Sequence, residues 1–256
     1  MTPPLWPTRL HRFEKVLSTM DTARELADQG CPEGTTVVAT VQTRGRGRRG
    51  RAWFSAPDAG LWFTLVLRPT APPQRLSELG LVAGASVLQA IHSLGTPTPK
   101  LKWPNDIMVN RRKLAGILLE AEGISGGSPT LRVGVGLNLK ATPQSLPEDL
   151  EDRYIGLEEL VSAPLASALP ETCLQKIVPL IQENYARWQE HGLGPTLDFW
   201  KKNDWLMDHS VKASHDSGIV EGKCKGLDPR GALLVESKSR LFSIHSGEVF
   251  KIEADP

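Results

Sequence analysis

Thr43 to Phe54 reads TRGRGRRGRAWF, in which five arginines are interspersed with three glycines and two aromatic residues end the run. No acidic residue lies between Glu33 and Asp58, so nothing nearby in sequence neutralises these guanidinium groups. Glycine lets the backbone approach a ligand closely, and arginine binds carboxylates and phosphates in a fixed geometry. We therefore predict that residues 43–54, here named the arginine loop, bind an anion.

The arginine loop is flanked by segments typical of regular structure. Thr35 to Val41 is rich in β-branched residues and Leu61 to Leu67 is a continuous apolar run, so both are predicted to be buried strands. Ser18 to Asp21 has the form of a capping box, which predicts a helix that ends at Gly30. Leu76 to Ile91 carries apolar residues at helical spacing. The predicted order is helix, strand, arginine loop, strand and helix.

Three further segments after residue 100 are strand-like. They are Ile107 to Val109, Lys113 to Glu120 and Leu131 to Leu139. Asn110 to Arg112 is typical of a hairpin turn, so the three strands are predicted to form one antiparallel meander. Gly134 and Gly136 leave room for a group that lies against the sheet.

The C-terminal half changes character twice. Ala141 to Pro170 is rich in Pro, Ser, Glu and Asp, which predicts surface loops and short helices before a helix from Glu171 to about His191. The apolar stripe of that helix, from Leu174 to Trp188, is interpreted as core packing. From about Met207 the pattern is one of short strands, typical of a small β-barrel. We therefore predict two domains, residues 1–206 and residues 207–256.

Composition limits the classes of function. Thirty basic and twenty-nine acidic residues give the 256-residue chain a net charge of +1, so the arginine loop is a local concentration and general attraction to DNA or to membranes is not implied. Three widely spaced cysteines without a C-x-x-C pattern argue against a disulfide framework or a zinc site. No signal peptide or membrane span is recognisable. A cytoplasmic protein is expected.

The arginine loop also fits two other patterns. Gly45-x-Gly47-x-x-Gly50 matches the dinucleotide fingerprint, but residues 51–60 contain a proline and no helical period, so a Rossmann unit is not predicted. Arginine–glycine runs also bind RNA, with aromatic residues such as Trp53 stacking on bases. A nucleic-acid-binding module is therefore the competing hypothesis, and the near-neutral net charge disfavours it.

A second motif, Lys102 to Asp106 (KWPND), makes the pattern far more specific. Together with the arginine loop, Lys113 to Glu120 (KLAGILLE) and Gly134 to Asn138 (GVGLN), it resembles the biotin protein ligases in content, order and spacing. The resemblance covers about Ser18 to Asn138. It implies an α+β fold with a central mixed, largely antiparallel sheet, flanking helices and a small C-terminal SH3-like β-barrel.

The resemblance also implies a two-step reaction and its site. Biotin and ATP would give biotinyl-5′-AMP and pyrophosphate, and a lysine of a carrier domain would then accept the biotinyl group. The implied catalytic residues are Arg48 and Lys113. The implied biotin site comprises Ser18, Thr19, Met20, Gln42, Gly45, Arg46, Gly47, Arg48, Lys113, Gly116 and Ile117. The implied ATP site comprises Arg48, Arg49, Arg51, Trp53, Lys102, Asn105, Asp106 and Asn138.

Cofactor and partners follow from the same resemblance. Mg²⁺ is expected to accompany ATP, with Asp106 as the candidate ligand. The expected partner is the biotin carboxyl carrier domain of acetyl-CoA carboxylase or of another biotin-dependent carboxylase, and a homodimer is left open. Some family members carry an N-terminal DNA-binding domain, but only 17 residues precede Ser18 here. A ligase that binds neither DNA nor membranes is therefore expected. Arg44 departs from the small or neutral residue usual in the family.

Overall fold

The computed structural model describes residues 9–123, 129–162, 168–215 and 218–253 and contains two sheets. The strands of the first sheet are β1 (Leu10–Val16), β2 (Thr36–Gln42), β3 (Gly60–Leu67), β4 (Lys100–Lys102), β5 (Asp106–Val109), β6 (Arg112–Glu122) and β7 (Thr130–Asn138). They lie in the order β1-β2-β3-β7-β6-β5-β4. The β1–β2 pair is parallel and the other described pairs are antiparallel, which confirms a mixed, largely antiparallel sheet.

Four helices flank this sheet in the described part of the chain. They are α1 (Thr19–Asp28), α2 (Glu78–His92), α3 (Leu169–His191) and α4 (Gly194–Asn203). Successive side chains of a strand face opposite sides, so Val66 of β3 packs with Ala23 of α1, whereas Leu65 joins the main core with Ile177 of α3. Residues 163–167, within the predicted loop region, lie outside the described residues.

The second sheet contains the five C-terminal strands. They are β8 (Ser210–His215), β9 (Gly218–Leu227), β10 (Leu233–Ser237), β11 (Arg240–Ile244) and β12 (Glu248–Glu253). They lie in the order β11-β10-β9-β8-β12 with antiparallel pairing, which is consistent with an SH3-like barrel. Over the described residues, the pairing does not join β11 to β12, so the ladder is open there. One hydrophobic core runs from the first sheet into the second.

Several local predictions are confirmed. Ser18 caps α1 by accepting a hydrogen bond from the Met20 amide, and Gly30 adopts φ +80° where the helix has ended. Asn110 adopts φ 52° in the β5–β6 hairpin, as the turn requires. The capping box is only half correct, because the Asp21 carboxylate binds Arg46 instead of the helix N-terminus.

Three elements were not predicted, and the shortest is β4, Lys100–Lys102, which runs into the polar KWPND motif. Strand β1, Leu10–Val16, is exposed along almost its whole length, so it lacks the apolar alternation that marks a half-buried strand. Helix α4 begins with Gly194-Pro195, residues that usually indicate a turn, although Pro is favourable in the first turn of a helix. No helix in the described ranges is long and apolar enough to cross a membrane.

We predict that the buried side chain of Asp204 makes the stability of the folded protein depend on pH. Burial raises the pKa of Asp204 to about 6, although its Oδ1 accepts a hydrogen bond from the Leu206 amide at 2.8 Å. The folded protein therefore binds this proton more tightly than the unfolded chain, so the stability contributed by Asp204 decreases as the pH rises towards 6 and above. Asp204→Asn keeps an acceptor and has no proton to lose. Relative to the wild type, it should gain about 1 kcal/mol of unfolding free energy between pH 5 and pH 7.5.

Urea denaturation at both pH values measures this difference. The other titrating groups are common to both proteins and cancel in the comparison. Asp208→Asn is the matched control, since Asp208 lies four residues away and its side chain is exposed. A difference between Asp204→Asn and the wild type that is the same at pH 5 and pH 7.5 would contradict the prediction.

Candidate active site

A cavity of about 150 Å³ opens between α1, the arginine loop, the strands β5, β6 and β7, and the start of β12. It brings together every residue of the predicted site apart from Gly45 and Asn138. The predicted residues that line it are Ser18, Thr19, Met20, Gln42, Arg46, Gly47, Arg48, Arg49, Arg51, Trp53, Lys102, Asn105, Asp106, Lys113, Gly116 and Ile117. Residues from four distant stretches of sequence thus share one concave surface.

One end of the cavity is neutral and polar. Gln42 Oε1 accepts hydrogen bonds from the backbone amide of Thr19, at 2.8 Å, and from its hydroxyl, at 3.1 Å. Gln42 Nε2 donates to Ser55 Oγ at 3.0 Å, and Thr64 Oγ1 donates to Thr19 Oγ1 at 2.8 Å. Ser18, Thr19, Thr64 and Ser55 are all buried, so this network fixes uncharged donors and acceptors at the N-terminus of α1.

The arginine loop forms a tight reversal. Arg49 and Gly50 adopt left-handed conformations, with φ 57° and 72°. This turn lets the Gly47 amide donate to the Arg51 carbonyl oxygen at 2.7 Å and pairs Arg46 with Ala52. A side chain at position 50 would be strained there, because only glycine adopts this region freely. The loop therefore projects the guanidinium groups from a defined backbone.

Carboxylates from distant parts of the chain neutralise three of these arginines. Arg46 Nη1 lies 2.6 Å from Asp21 Oδ1, and its Nη2 lies 3.3 Å from Glu120 Oε1. Arg51 forms a two-pronged ion pair with Glu248 of β12, and Arg49 Nη1 lies 3.4 Å from the same carboxylate. Asp21, Glu120 and Glu248 lie outside the loop in sequence, and only the tertiary fold brings them next to it.

Arg48 differs from these three arginines. Its Nη1 donates to neutral oxygens, Asn105 Oδ1 at 3.5 Å and the Gly247 carbonyl at 3.2 Å. Burial and the neighbouring Arg49 lower the pKa of Arg48, but a guanidinium remains charged at neutral pH. A half-buried cation with neutral partners keeps most of its attraction for a bound anion.

Two lysines extend the positive end of the cavity. Lys113 Nζ lies 2.6 Å from Asp106 Oδ1 and 4.9 Å from the ring centre of Trp53. Burial lowers the pKa of Lys102, which Asp106 partly offsets, and its Nζ lies 5.6 Å from the ring centre of Trp205. The cavity is therefore neutral at one end and cationic at the other.

The predicted space beside the glycines of the sheet is occupied by side chains of the protein itself. Gly116 and Gly136 face each other on β6 and β7, and a Cβ atom at either position would come within 2.8 Å or 2.5 Å of Trp53. A Cβ atom at Gly134 would come within 2.7 Å of Met20 Sδ. These glycines let Trp53 and Met20 lie against the sheet and line the cavity.

The two predicted residues that do not line the cavity support those that do. Gly45 is buried, its carbonyl accepts a hydrogen bond from the Trp53 amide at 2.8 Å, and a Cβ atom there would come within 2.7 Å of Ser55 Oγ. Asn138 Nδ2 donates to the Lys113 carbonyl at 2.9 Å. Asn138 therefore holds the backbone that carries Lys113.

Some residues of the cavity were not predicted. They are Ala52, Phe63, Trp103, Pro104, Leu118, Gly134, Val135, Gly136, Glu248 and Val249. Gly134 and Gly136 were predicted only to leave space beside the sheet. Thr64 and Ser55 carry a weak signal, as polar residues within or beside an apolar strand segment. Nothing in the local sequence marks Glu248 as a site residue, because it is separated from its arginine partners by 197 residues or more.

Comparison with known proteins agrees with this geometry. Residues 13–138 match the Biotin/lipoate A/B protein ligase family, and residues 210–252 match the Biotin protein ligase C terminal domain. Bifunctional ligase/repressor BirA of Bacillus subtilis (strain 168) is 33% identical over 232 residues, which cover 91% of this chain and 70% of that protein. The chain belongs to the biotin protein ligase family.

Two further similarities extend over nearly the whole length of the compared proteins. Biotin--[acetyl-CoA-carboxylase] ligase of Paracoccus denitrificans is 31% identical over 243 residues, covering 91% of this chain and 96% of that protein. The structure of a biotin protein ligase from Aquifex aeolicus in complex with biotin and ATP has a TM-score of 0.81 and 29% identity, and covers 96% of this chain and 99% of that one. Both domains of this biotin protein ligase family member thus have counterparts in the two compared proteins.

Arg44, which the resemblance marks as a departure from the pattern of the biotin protein ligase family, lies outside the cavity. Arg44 has an exposed side chain, and its backbone amide donates to the Leu17 carbonyl at 2.8 Å. The unusual charge is therefore at the base of the arginine loop. It adds no further guanidinium to the cavity lining.

Proposed function

We propose that this protein activates biotin with ATP, forming biotinyl-5′-AMP and pyrophosphate, and then transfers the biotinyl group to a lysine of a carrier protein. The observation that carries the proposal is the single cavity with a neutral hydrogen-bonding end and a cationic end. Biotin has an uncharged ureido ring at one end and a carboxylate at the other. The carboxylate would face the end where the phosphates of ATP bind.

The cationic residues account for the first step. The biotin carboxylate oxygen attacks the α-phosphorus of ATP, the bond from that phosphorus to the bridging oxygen breaks, and pyrophosphate leaves with its electron pair. Both reactants are anions, so their approach depends on charge neutralisation and positioning. Arg48 and Lys113 supply fixed positive charge where the two anions meet, and Lys102 extends it along the phosphates.

The second step needs a base as well as positive charge. The amine of the carrier lysine attacks the acyl carbon of the adenylate, AMP leaves, and the amine loses a proton. Both carboxylates that line the cavity are ion-paired, Asp106 with Lys113 and Glu248 with two arginines. Asp106 is our candidate for the base, because it has a single cationic partner and lies at the cationic end of the cavity. Lys113 Nζ, 2.6 Å from Asp106, would stabilise the negative charge on the acyl-phosphate.

We assign the remaining ATP contacts from the positions of the side chains around the cavity. We assign Trp53 to the adenine, Asn105 to the ribose or phosphates, and Asn138 to the support of Lys113. Arg49 and Arg51 would exchange the Glu248 carboxylate for phosphate oxygens.

Magnesium is compatible with this site as a companion of ATP. No group of three His, Cys, Asp or Glu side chains within the described ranges could hold a metal ion. Mg²⁺ in nucleotide sites is typically held by phosphates with one or two carboxylates, so a single ligand, Asp106, fits that pattern. Bound there, Mg²⁺ would neutralise negative charge on the phosphates of ATP.

The partner is the carrier domain of a biotin-dependent carboxylase, which the names of the relatives imply. We further propose a boundary between the catalytic and C-terminal domains at residues 206 and 207, since α4 ends at Asn203 and β8 begins at Ser210. The net charge of +1 supports a ligase that does not bind DNA. The three free cysteines support a cytoplasmic location, where thiols remain reduced.

Exchange of labelled pyrophosphate into ATP tests the proposal. We expect exchange that depends on biotin, because adenylate formation is reversible and needs no carrier. A purified carrier domain should then accept labelled biotin on one lysine. Exchange that is absent, or that lipoate supports and biotin does not, would contradict the proposed function. RNA added at equal concentration should leave the exchange rate unchanged, which separates the ligase from the nucleic-acid-binding alternative.

A further inference from the structure

Arg46 differs from Arg48 because its guanidinium is paired with carboxylates of the protein. Its Nη1 lies 2.6 Å from Asp21 in the first turn of α1, and its Nη2 is 3.3 Å from both carboxylate oxygens of Glu120 on β6. Two carboxylates around one guanidinium leave no net positive charge for a ligand. The side chain of Arg46 therefore connects three elements of the cavity wall to one another.

Glu120 is itself held from the opposite side by a buried cation. Arg132 of β7, whose side chain is 2% exposed, places Nη2 at 3.2 Å from Glu120 Oε2 and at 2.9 Å from Glu122 Oε1. In the described structure its Nε and Nη1 have no hydrogen-bond partner, so Arg132 depends on these two glutamates. A network of several charges contributes more than an isolated surface pair.

The network reaches the neutral end of the cavity through the backbone of the loop. Arg46 and Gly47 line the cavity together with Ser18 and Thr19. Gly45, next to Arg46, lies so close to Gln42 that a Cβ atom there would be 3.2 Å from Gln42 Nε2. A shift of Arg46 would therefore move the backbone that faces the neutral polar network.

We propose that Glu120 and Asp21 are positioning residues that act through Arg46. They hold residues 45–47 of the arginine loop against α1 and so set the affinity for the neutral end of biotin. The assignment of biotin as ligand depends on the function proposed above, whereas the ion network holds the loop whatever the ligand.

The other half of the loop is held separately. Arg49 and Arg51 bind Glu248 of the C-terminal sheet, and their side chains are 51% and 66% exposed. No contact in the described residues joins Glu248 to Asp21 or Glu120. Loss of the Glu120 contact should therefore weaken the binding of biotin much more than the binding of ATP.

Glu120→Gln tests this proposal, with Glu122→Gln as the matched control. Both glutamates lie on β6, face the same side of the sheet and bind Arg132, but only Glu120 contacts Arg46. Glu120→Gln should raise KM for biotin about tenfold, since a displaced positioning residue costs up to about 100-fold. KM for ATP should change by less than about twofold, as for an interaction not made with ATP. Asp21→Asn, on a different element, should give the same pattern.

Hydrogen exchange of the loop amides in the protein without ligand separates this proposal from the proposed function. We expect faster exchange of the amides of residues 45–47 in Glu120→Gln than in Glu122→Gln, at equal thermal unfolding midpoints. Equal exchange in the two variants would overturn the positioning role even if the wild type is a fully active ligase. Equal increases in KM for biotin and for ATP would also overturn it. A wild type without pyrophosphate exchange would contradict the ligase function, and the amide exchange would still test the role of Glu120.

Discussion

Lys113→Met is expected to reduce biotin-dependent pyrophosphate exchange by roughly 100- to 1,000-fold, the loss typical when one fixed donor to developing negative charge is removed. Lys113 Nζ lies in the cationic end of the cavity, 2.6 Å from Asp106. Its backbone is fixed from two sides, since its amide donates to the Arg153 carbonyl at 2.6 Å and its carbonyl accepts from Asn138. The ammonium is therefore positioned before ATP and biotin arrive, and no reorganisation is needed when charge develops.

Methionine is the appropriate replacement because its side chain is unbranched and of similar length, so it fills the space beside Trp53 without the charge. The loss should appear mainly in kcat, with a smaller change in KM for biotin, since the interaction strengthens as negative charge develops on the acyl-phosphate. Lys113→Arg should restore little, because a planar guanidinium does not replace a compact ammonium next to Asp106. Single-turnover formation of labelled biotinyl-adenylate measures the chemical step directly.

Lys140→Met is the control for this prediction. Lys140 is half exposed, pairs with Glu158 at 3.5 Å and does not line the cavity. Both variants should keep the thermal unfolding midpoint of the wild type within a few degrees, since neither lysine is buried. A Lys113→Met protein that retains more than about a tenth of the wild-type exchange rate would remove Lys113 from the catalytic residues.

Local sequence was sufficient for most of the fold. The β-branched run at Thr35 to Val41 and the apolar run at Leu61 to Leu67 became β2 and β3 almost residue for residue. Their signal is strong because central strands are buried on both faces. Strand β1 is an edge strand whose pairing with β2 leaves its side chains exposed, so its residues obey no apolar pattern.

The members of the candidate site were predictable mostly through their motifs, whereas their charge partners were not. Asp21 looked like half of a capping box, and its carboxylate instead lies against Arg46. Glu120 and Glu248 are separated from their arginine partners by 74 and about 200 residues along the chain. Pairing over such distances is decided by strand order and by the packing of the second sheet on the first, and neither leaves a trace in local composition. Of the five arginines, Arg46, Arg49 and Arg51 have carboxylate partners in the fold, Arg44 is exposed outside the cavity, and Arg48 has neutral partners and keeps its charge for the ligand.

Arg48→Ala is expected to speed the dissociation of biotinyl-adenylate by roughly 10- to 100-fold, since a hydrogen bond to a charged group contributes about 1.5–3 kcal/mol. Arg48 Nη1 already lies beside Asn105 and the Gly247 carbonyl, at the junction of the KWPND motif and the C-terminal sheet. Both acceptors are neutral oxygens, so losing these two hydrogen bonds should destabilise the unbound protein little. The cost should therefore fall on the complex with the adenylate, whose carboxyl and phosphate oxygens accept the charged donor.

Arg44→Ala is a control in the same loop, because the Arg44 side chain is exposed and does not line the cavity. If five arginines acted only through their summed charge, the two substitutions would weaken retention of the adenylate to a similar extent, and both effects would shrink at high salt. If Arg48 contacts the ligand directly, its loss should dominate at every salt concentration, and Arg48→Lys should recover only part of the retention because it lacks the planar fork. Release of labelled adenylate after rapid dilution distinguishes these cases, and a dissociation rate in Arg48→Ala equal to that of Arg44→Ala would exclude Arg48 from the binding site.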